Sequence, residues 1–300
     1  MTASAPGTSR AGTVAIIGRP NVGKSTLLNA LVGTKVAIVT PKPQTTRNRV
    51  VGIRTLPDAQ LVFVDTPGIH AARSLLNRRM VDVATRARAD ADVVLFVLDA
   101  AAGVTPGDRE IAADLAASRA TTVVVLNKRD RVRPPALLPL MAALGTLLPG
   151  REVIPASART GENVEVVLRA AAAALPAGAR LHPEDEYTTE TVRFLVQEMV
   201  REQLFLQTDE EVPYGTAVEV EELREVPARG LTVVRASILV ERESHKGIVI
   251  GKGGARLREI GTRARLALEE LLGGRVFLEL FVRVEPGWAT NPRRLRELGL

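Results

Sequence analysis

The chain of 300 residues is predicted to form an α/β domain, a mostly parallel sheet flanked by helices, followed by a smaller α+β domain. Three observations point there. Apolar β-branched runs recur through the first half, each ending in a polar or glycine-rich turn that leads into a new element. A Leu-Pro-Ala-Gly join at 175–178 and a change in charge then separate that half from the rest. Beyond it come an amphipathic helix, two alternating strands, a glycine cluster between two apolar-periodic segments, and a last strand.

Hydrophobic residues make up 46% of the chain and aromatics only 3%, so Leu, Val, Ile and Ala must fill the cores. Cysteine is absent, which excludes disulfides, zinc–thiolate centres and Cys nucleophiles and fits a reducing compartment. The start, MTASAPGTSRAG, has no apolar signal region, and no apolar run approaches the ~18 residues of a membrane span. The expectation is a cytoplasmic protein with a disordered tail over residues 1–11. Net charge is +6, unevenly spread. Residues 1–180 hold 23 Lys and Arg against 13 Asp and Glu; residues 181–300 hold 17 against 21. Inside that acidic part, residues 242–265 carry 7 basic against 2 acidic side chains. A basic island in an acidic domain marks the contact with an anionic partner better than whole-chain charge does.

In order, Val14, Ile16 and Ile17 read as a buried strand that stops at Gly18. Gly18, Gly23, Lys24 and Ser25 match G-x-x-x-x-G-K-[ST], and Leu27, Leu28, Ala30 and Leu31 give the helix that must follow. The loop residues Arg19, Pro20, Asn21 and Val22, with Thr26 in the first helical turn, complete a phosphate cradle. Its glycines let backbone N–H groups turn inward, and the helix start adds its positive dipole end. Lys24 is expected on the β and γ phosphates and the Ser25 hydroxyl on Mg²⁺. Thr40 to Arg49 is polar and aperiodic, an exposed loop before the strand Val50–Arg54. In this place nucleotide switches carry a Thr that closes on Mg²⁺ and the γ-phosphate, with Thr45 and Thr46 as candidates. The strand Leu61–Val64 ends in Asp65-Thr66-Pro67-Gly68, a carboxylate for Mg²⁺ and a backbone N–H for the γ-phosphate.

The strand 92–100, a helix to about 118 and a further strand lead to Asn127-Lys128-Arg129-Asp130. The Asp130 carboxylate can accept the N1–H and 2-amino protons of guanine, a donor pair adenine lacks. Asn127 would brace the loop, and the Lys128 stem would cover the base. VIPASA then offers Ser157 and Ala158, whose backbone N–H can meet the guanine O6. A helix through 175 ends this domain, 12–178, and residues 179–187 read as a linker.

In the second domain, 188–300, apolar residues at 192, 195, 196, 199 and 200 place a helix over 188–203. Two strands join around Pro227–Gly230. Gly251-Lys252-Gly253-Gly254 interrupts an apolar-periodic stretch, and the strand RVFLELFVRV closes the domain. Lys246, Lys252, Arg256, Arg258, Arg263 and Arg265 supply charge for a phosphate backbone.

The motif order in the first domain resembles the translation-factor-like GTPases, in the subgroup with a hydrophobic residue, here Ile69, in place of a water-orienting glutamine. Asn21 matches a position that helps to bind K⁺ in several members, though a turn-stabilising role fits it equally. GKGG and its neighbours resemble the GxxG loop of KH domains, in the type II element order. Together GRPNVGKST, KPQTTR, DTPGIH, NKRD, PASA, HPED, TDEEVPY, GIVIGKGG and GWATNPRRLRELGL resemble the Era family over nearly the whole chain. The segment AARSLLNRRM after His70 and the ending LGL depart from the family pattern. The family threonine precedes the Arg matched by Arg47, which selects Thr46 and makes Lys24, Thr46 and Gly68 the candidate catalytic residues. The resemblance implies a GTPase using GTP, Mg²⁺ and K⁺ that binds 16S rRNA near its 3′ end and assists assembly of the 30S ribosomal subunit. It also implies peripheral association with the inner face of the cell membrane; a monomer is the default. A P-loop kinase is disfavoured because NKRD and PASA are spent on guanine. A pure RNA-binding module is disfavoured by Lys24, Ser25 and Asp65.

Overall fold

The structure, a computed structural model, describes residues 9–68, 80, 85–118 and 120–300. These fall into two compact units. The first contains the described residues up to Ala37 and between Thr46 and Thr189; the second contains Ile38–Thr45 and Glu190–Leu300.

The sheet of the first unit has six strands: β1 (Arg10–Ile17), β2 (Val50–Thr55), β3 (Ala59–Asp65), β4 (Val93–Asp99), β5 (Thr121–Asn127) and β6 (Val153–Pro155). Their order is β2-β3-β1-β4-β5-β6, with β2 antiparallel to β3 and all other pairs parallel. Val14 to Ile17 and Val93 to Leu98 are fully buried, as central strands covered on both faces must be. The helices are α1 (Lys24–Val32), α2 (Pro106–Ala116), α3 (Pro134–Leu147) and α4 (Val164–Ala174). The parallel order puts the carboxyl ends of β1, β3 and β5 on one edge, where ligands of open α/β sheets bind. β1 begins at Arg10, inside the stretch that reads as a tail, and pairs with β3 from Ala59 onward. Residues 181–187 lie along the antiparallel edge. Buried Gln60 accepts from the amides of Leu181 and His182 at 2.7 and 2.9 Å, and the Ile53 amide donates to the Tyr187 carbonyl at 2.7 Å.

In the second unit the order is α5 (Val192–Gln207), β7 (Thr216–Val226), β8 (Leu231–Val240), α6 (Glu243–Ile250), α7 (Ala255–Leu272), β9 (Arg275–Val284) and α8 (Pro292–Glu297). β7 and β8 are antiparallel, β8 and β9 parallel. This is the type II KH arrangement. Helix α5 lies four residues later than its apolar period suggests. The Thr191 side chain caps it by accepting from the Phe194 amide, and buried Leu204 and Phe205 extend its packed face. The core is built by Val196, Met199, Val234, Ile238, Ile260 and Leu268.

Behind the sheet, Trp288, Leu295 and Leu298 cover Ala217 and Leu239. Arg294 fastens this tail, with contacts to Glu219 at 2.7 Å and to Glu285 at 2.6 Å. Arg294→Ala should lower the stability of this unit by about 1–2 kcal/mol, because it leaves two partly buried carboxylates with Arg283 as their shared partner. Hydrogen bonding from Arg294 holds Glu219 below the usual carboxylate range. A depressed folded pKa stabilises above the unfolded value and is lost as pH falls through the folded one. The gap between wild type and variant in urea melts should therefore be full at about pH 7 and shrink below about pH 4.

Candidate functional site

The phosphate loop leaves β1 at Gly18 and enters α1 at Lys24. Gly23 has φ 98°, and a β-carbon there would stand 2.4 Å from the Asn127 side chain, so only glycine fits the turn. Lys24 is buried, its ammonium folded back onto the carbonyls of Gly18 and Arg19 at 3.1 Å each. Burial pushes its pKa down to about 8, against the opposing pull of Asp65. An incoming polyphosphate would bring anionic oxygens to this buried cation in place of the two loop carbonyls. The Arg19 guanidinium is held by buried Asp108 at 2.9 Å, so its side chain braces the loop against α2. Asn21 takes a left-handed turn at φ 62°, Val22 is buried, and Thr26 sits half-buried in the first turn of α1.

Three oxygens from three separate elements meet beside Lys24. The Ser25 hydroxyl donates to Asp65 Oδ2 at 2.6 Å, lies 3.0 Å from the Thr46 hydroxyl, and Thr46 is 3.4 Å from the same carboxylate oxygen. Thr46 is thus brought into the site. Thr45 instead turns its hydroxyl to Thr40 and to the Lys42 carbonyl. The loop 40–49 is less exposed than its polarity suggests, since Arg47 is buried. Burial pushes the Asp65 carboxyl up, while Lys24, Ser25, Thr46 and the Thr66 amide draw it down. Its Oδ1 is buried without a hydrogen-bond partner among the described residues. An orphaned buried carboxylate oxygen amid hydroxyls fits a hard divalent cation such as Mg²⁺, which takes oxygen donors. Thr66 is anchored to the Ile16 carbonyl at 3.0 Å, Pro67 is buried, and Gly68 approaches Pro20 so closely that a β-carbon would lie 2.6 Å from its nitrogen. Ile69 and the switch segment that follows lie outside the described residues.

At the other end of the cradle, Asn127 joins two loops, donating to the Val22 carbonyl at 2.8 Å and accepting from the Ala158 amide at 3.0 Å. The Ser157 amide donates to the Glu162 carbonyl. Both amides expected to face a base oxygen are therefore engaged within the protein. Lys128, at φ 61°, pairs with Asp99 at 2.6 Å. The Asp130 carboxylate accepts from the Ser157 hydroxyl and from Arg159, each at 2.6 Å. The Ser157 bond, then Arg159, holds Asp130 below the usual carboxylate range against desolvation. The bracing roles of Asp99, Asp108, the Ser157 hydroxyl and Arg159 escaped the sequence reading. Thr105 and Asp108 did carry a signal, the T-x-x-D spacing of a capping box.

In the second unit, the GKGG turn links α6 to α7, with φ of 70°, 59° and 77° at Gly251, Gly253 and Gly254. A β-carbon on Gly251 would lie 2.8 Å from that of Arg256, whereas Gly253 and Gly254 face open space. From Gly254 a groove of about 390 Å³ runs between α7 and β9, lined by Leu257, Gly261, Leu278 and Leu280 with Arg258 and Thr262. Lys246, Lys252 and Arg258 make no ion pair among the described residues. Arg256 donates to the Ile248 carbonyl at 2.6 Å, while Arg263 and Arg265 pair with Glu259 and Glu269 along α7.

Such a phosphate cradle with an oxygen cluster, and a glycine-turn groove on a second unit, define a P-loop GTPase carrying a KH domain. Family models divide the chain the same way, a 50S ribosome-binding GTPase model over residues 13–128 and a KH domain model over residues 211–289. GTPase Era of Syntrophus aciditrophicus is 49% identical over 97% of this chain and 95% of its own length. GTPase Era of Geotalea uraniireducens is 50% identical over 97% of each. Among solved structures, Era in complex with MgGDPNP and nucleotides 1506–1542 of 16S ribosomal RNA is 43% identical, with TM-score 0.93 over 97% of this chain and 99% of that one. A variant of Aquifex aeolicus Era bound to GDP·AlF4⁻ matches at 42% identity and the same TM-score, over 97% of this chain and 99% of that one. The chain belongs to the Era family of GTPases.

Proposed function

We propose that this GTPase holds sequence near the 3′ end of 16S rRNA in the groove beside GKGG and assists assembly of the 30S subunit, as a cytoplasmic monomer. The convergence of Ser25, Thr46 and Asp65 next to buried Lys24 carries the hydrolytic reading. Lys24 meets the β and γ phosphates; Ser25, Thr46 and Asp65 would hold Mg²⁺. The Gly68 amide faces the γ-phosphoryl oxygens. When bound, Mg²⁺ supplies positive charge to those oxygens, and Lys24 and the loop amides share that work as water attacks in line. Asn127 braces the two loops, Lys128 covers the base, Asp130 reads its N1 and 2-amino protons, and the 157–158 turn flanks its O6 edge. Gly251 to Gly254, with Lys246, Lys252, Arg256 and Arg258, grip the RNA backbone. Peripheral association with the inner face of the cell membrane belongs to the same reading; among the described residues no helix is long and apolar enough to cross a membrane.

Phosphate release from GTP and from ATP, with and without an oligonucleotide of the 16S 3′ end, tests this reading. Turnover of GTP alone is expected, and equal turnover of ATP would overturn it. Asn21, at the tip of the cradle, is assigned to K⁺. Turnover should accordingly be higher in KCl than in NaCl at equal ionic strength, and Asn21→Ala should flatten the difference. A wild type indifferent to the cation would end that assignment.

A further inference from the structure

We infer that Asp108 and Gly107, in the first turn of α2, are positioning residues for the nucleotide phosphates and act through Arg19 on Lys24. Asp108 stands 89 residues from Arg19 along the chain and belongs to none of the phosphate or guanine motifs. Its carboxyl is fully buried, and its two oxygens have different work. Oδ2 serves the helix, accepting from the Thr105 hydroxyl at 2.6 Å and the Thr105 amide at 3.0 Å, the return half of the capping box. Oδ1 serves the cradle, accepting from Arg19 Nε at 2.9 Å. Gly107 makes room for that second bond. Its backbone lies outside the left-handed region, so the turn itself does not ask for glycine. A β-carbon there would stand 2.9 Å from Arg19 Cδ, on the path that the Arg19 stem takes across the helix.

A capping box is complete without the bond to Arg19, and a buried ion pair is a weak source of stability. What the pair does is fix a position. The residue it fixes carries the carbonyl that accepts from the Lys24 ammonium at 3.1 Å. A line of contacts thus runs from the start of α2 through Asp108 and Arg19 to the cation of the cradle. A loop that samples other arrangements binds its ligand more weakly, in proportion to the fraction of time spent in the competent one. Anchored at Arg19, the loop holds Lys24 in place before a phosphate arrives. Once phosphates are bound they hold the loop themselves. The brace therefore acts on affinity and hardly on the rate of the bound complex. The inference rests on the assignment of Lys24 to the β and γ phosphates.

Asp108→Asn in the full chain keeps a carbonyl oxygen for Thr105 but sets an N–H₂ against the Arg19 guanidinium, so the cap survives and the brace breaks. GDP affinity and KM for GTP should worsen about tenfold while kcat stays within about twofold. The amides of Asn21 to Lys24 should exchange hydrogen faster in the nucleotide-free protein. Gly107→Ala should weaken GDP binding by about threefold, although Ala is the better helix former and the melting temperature should hold or rise. This variant serves should Asp108→Asn not fold. Thr105→Val removes the cap hydroxyl and leaves the Arg19 bond, so it should melt earlier and bind GDP like wild type. If Thr105→Val loses as much affinity as Asp108→Asn, affinity follows the stability of α2 and the inference fails. It fails alone if Lys24→Met weakens GDP binding while Asp108→Asn and Gly107→Ala bind GDP like wild type. If Lys24→Met itself binds GDP like wild type, the phosphate assignment of Lys24 falls and takes the inference with it.

Discussion

Asp130→Asn is expected to weaken GTP binding by two to three orders of magnitude and to turn preference towards xanthine nucleotides. The carboxylate can accept two protons from the guanine edge, and charge-assisted bonds are worth about 1.5–3 kcal/mol each. An amide in its place sets an N–H against the 2-amino group, losing one bond and weakening the other. Xanthine carries an oxygen at that position and restores a donor–acceptor match. The fold should barely notice. Asp130 keeps a Ser157 partner through its remaining oxygen, and its bond to Arg159 joins a side chain that is 70% exposed, a kind of pair worth at most about 1 kcal/mol. Competition of GTP against XTP, with thermal melting as control, checks the point. A variant in which GTP outcompetes XTP by its original margin would remove Asp130 from base recognition.

What could be read along the chain and what could not divide by range. The phosphate loop, the DTPG strand end and the GKGG turn were legible because their chemistry is carried by residues at short fixed spacings. The strands beneath them were legible because central parallel strands are continuous apolar runs. Helix α3 is not legible in the sequence, since Pro134, Pro135 and Pro139 within it look like loop punctuation. Yet Pro at the first two helical positions sacrifices no hydrogen bond. The seating of Ile38–Thr45 in the second unit was not legible for a different reason. Arg201 meets Thr45 across a separation of 156 residues, and no local period encodes such a pairing. Around the KH turn, Arg263 and Arg265 pair with Glu259 and Glu269 one helical turn away, while Arg256 donates to the Ile248 carbonyl.

Lys252→Asp/Gly253→Asp should abolish selective binding of an oligonucleotide from the 16S 3′ end while basal GTP hydrolysis survives. The first unit's stretch of chain carries the larger excess of positive charge, so electrostatics alone would put RNA there. Diffuse charge attracts without reading sequence and weakens steeply with salt, whereas a glycine turn lets the strand come close enough for its bases to enter the neighbouring groove. The double variant should fold. A β-carbon at Gly253 meets nothing within 4 Å, and its φ of 59° is one that Asp tolerates better than most residues. The damage is therefore to binding. Two carboxylates would face the phosphates where an exposed Lys and a bare backbone now stand, and affinity should drop by roughly 10²-fold or more. Any stimulation of GTP hydrolysis by RNA should vanish as well, since coupling between sites requires the second ligand to be bound. Fluorescence anisotropy against a scrambled oligonucleotide decides the matter. A double variant that still prefers the 16S sequence would move the RNA site away from the GKGG turn and onto the basic surface of the GTPase unit.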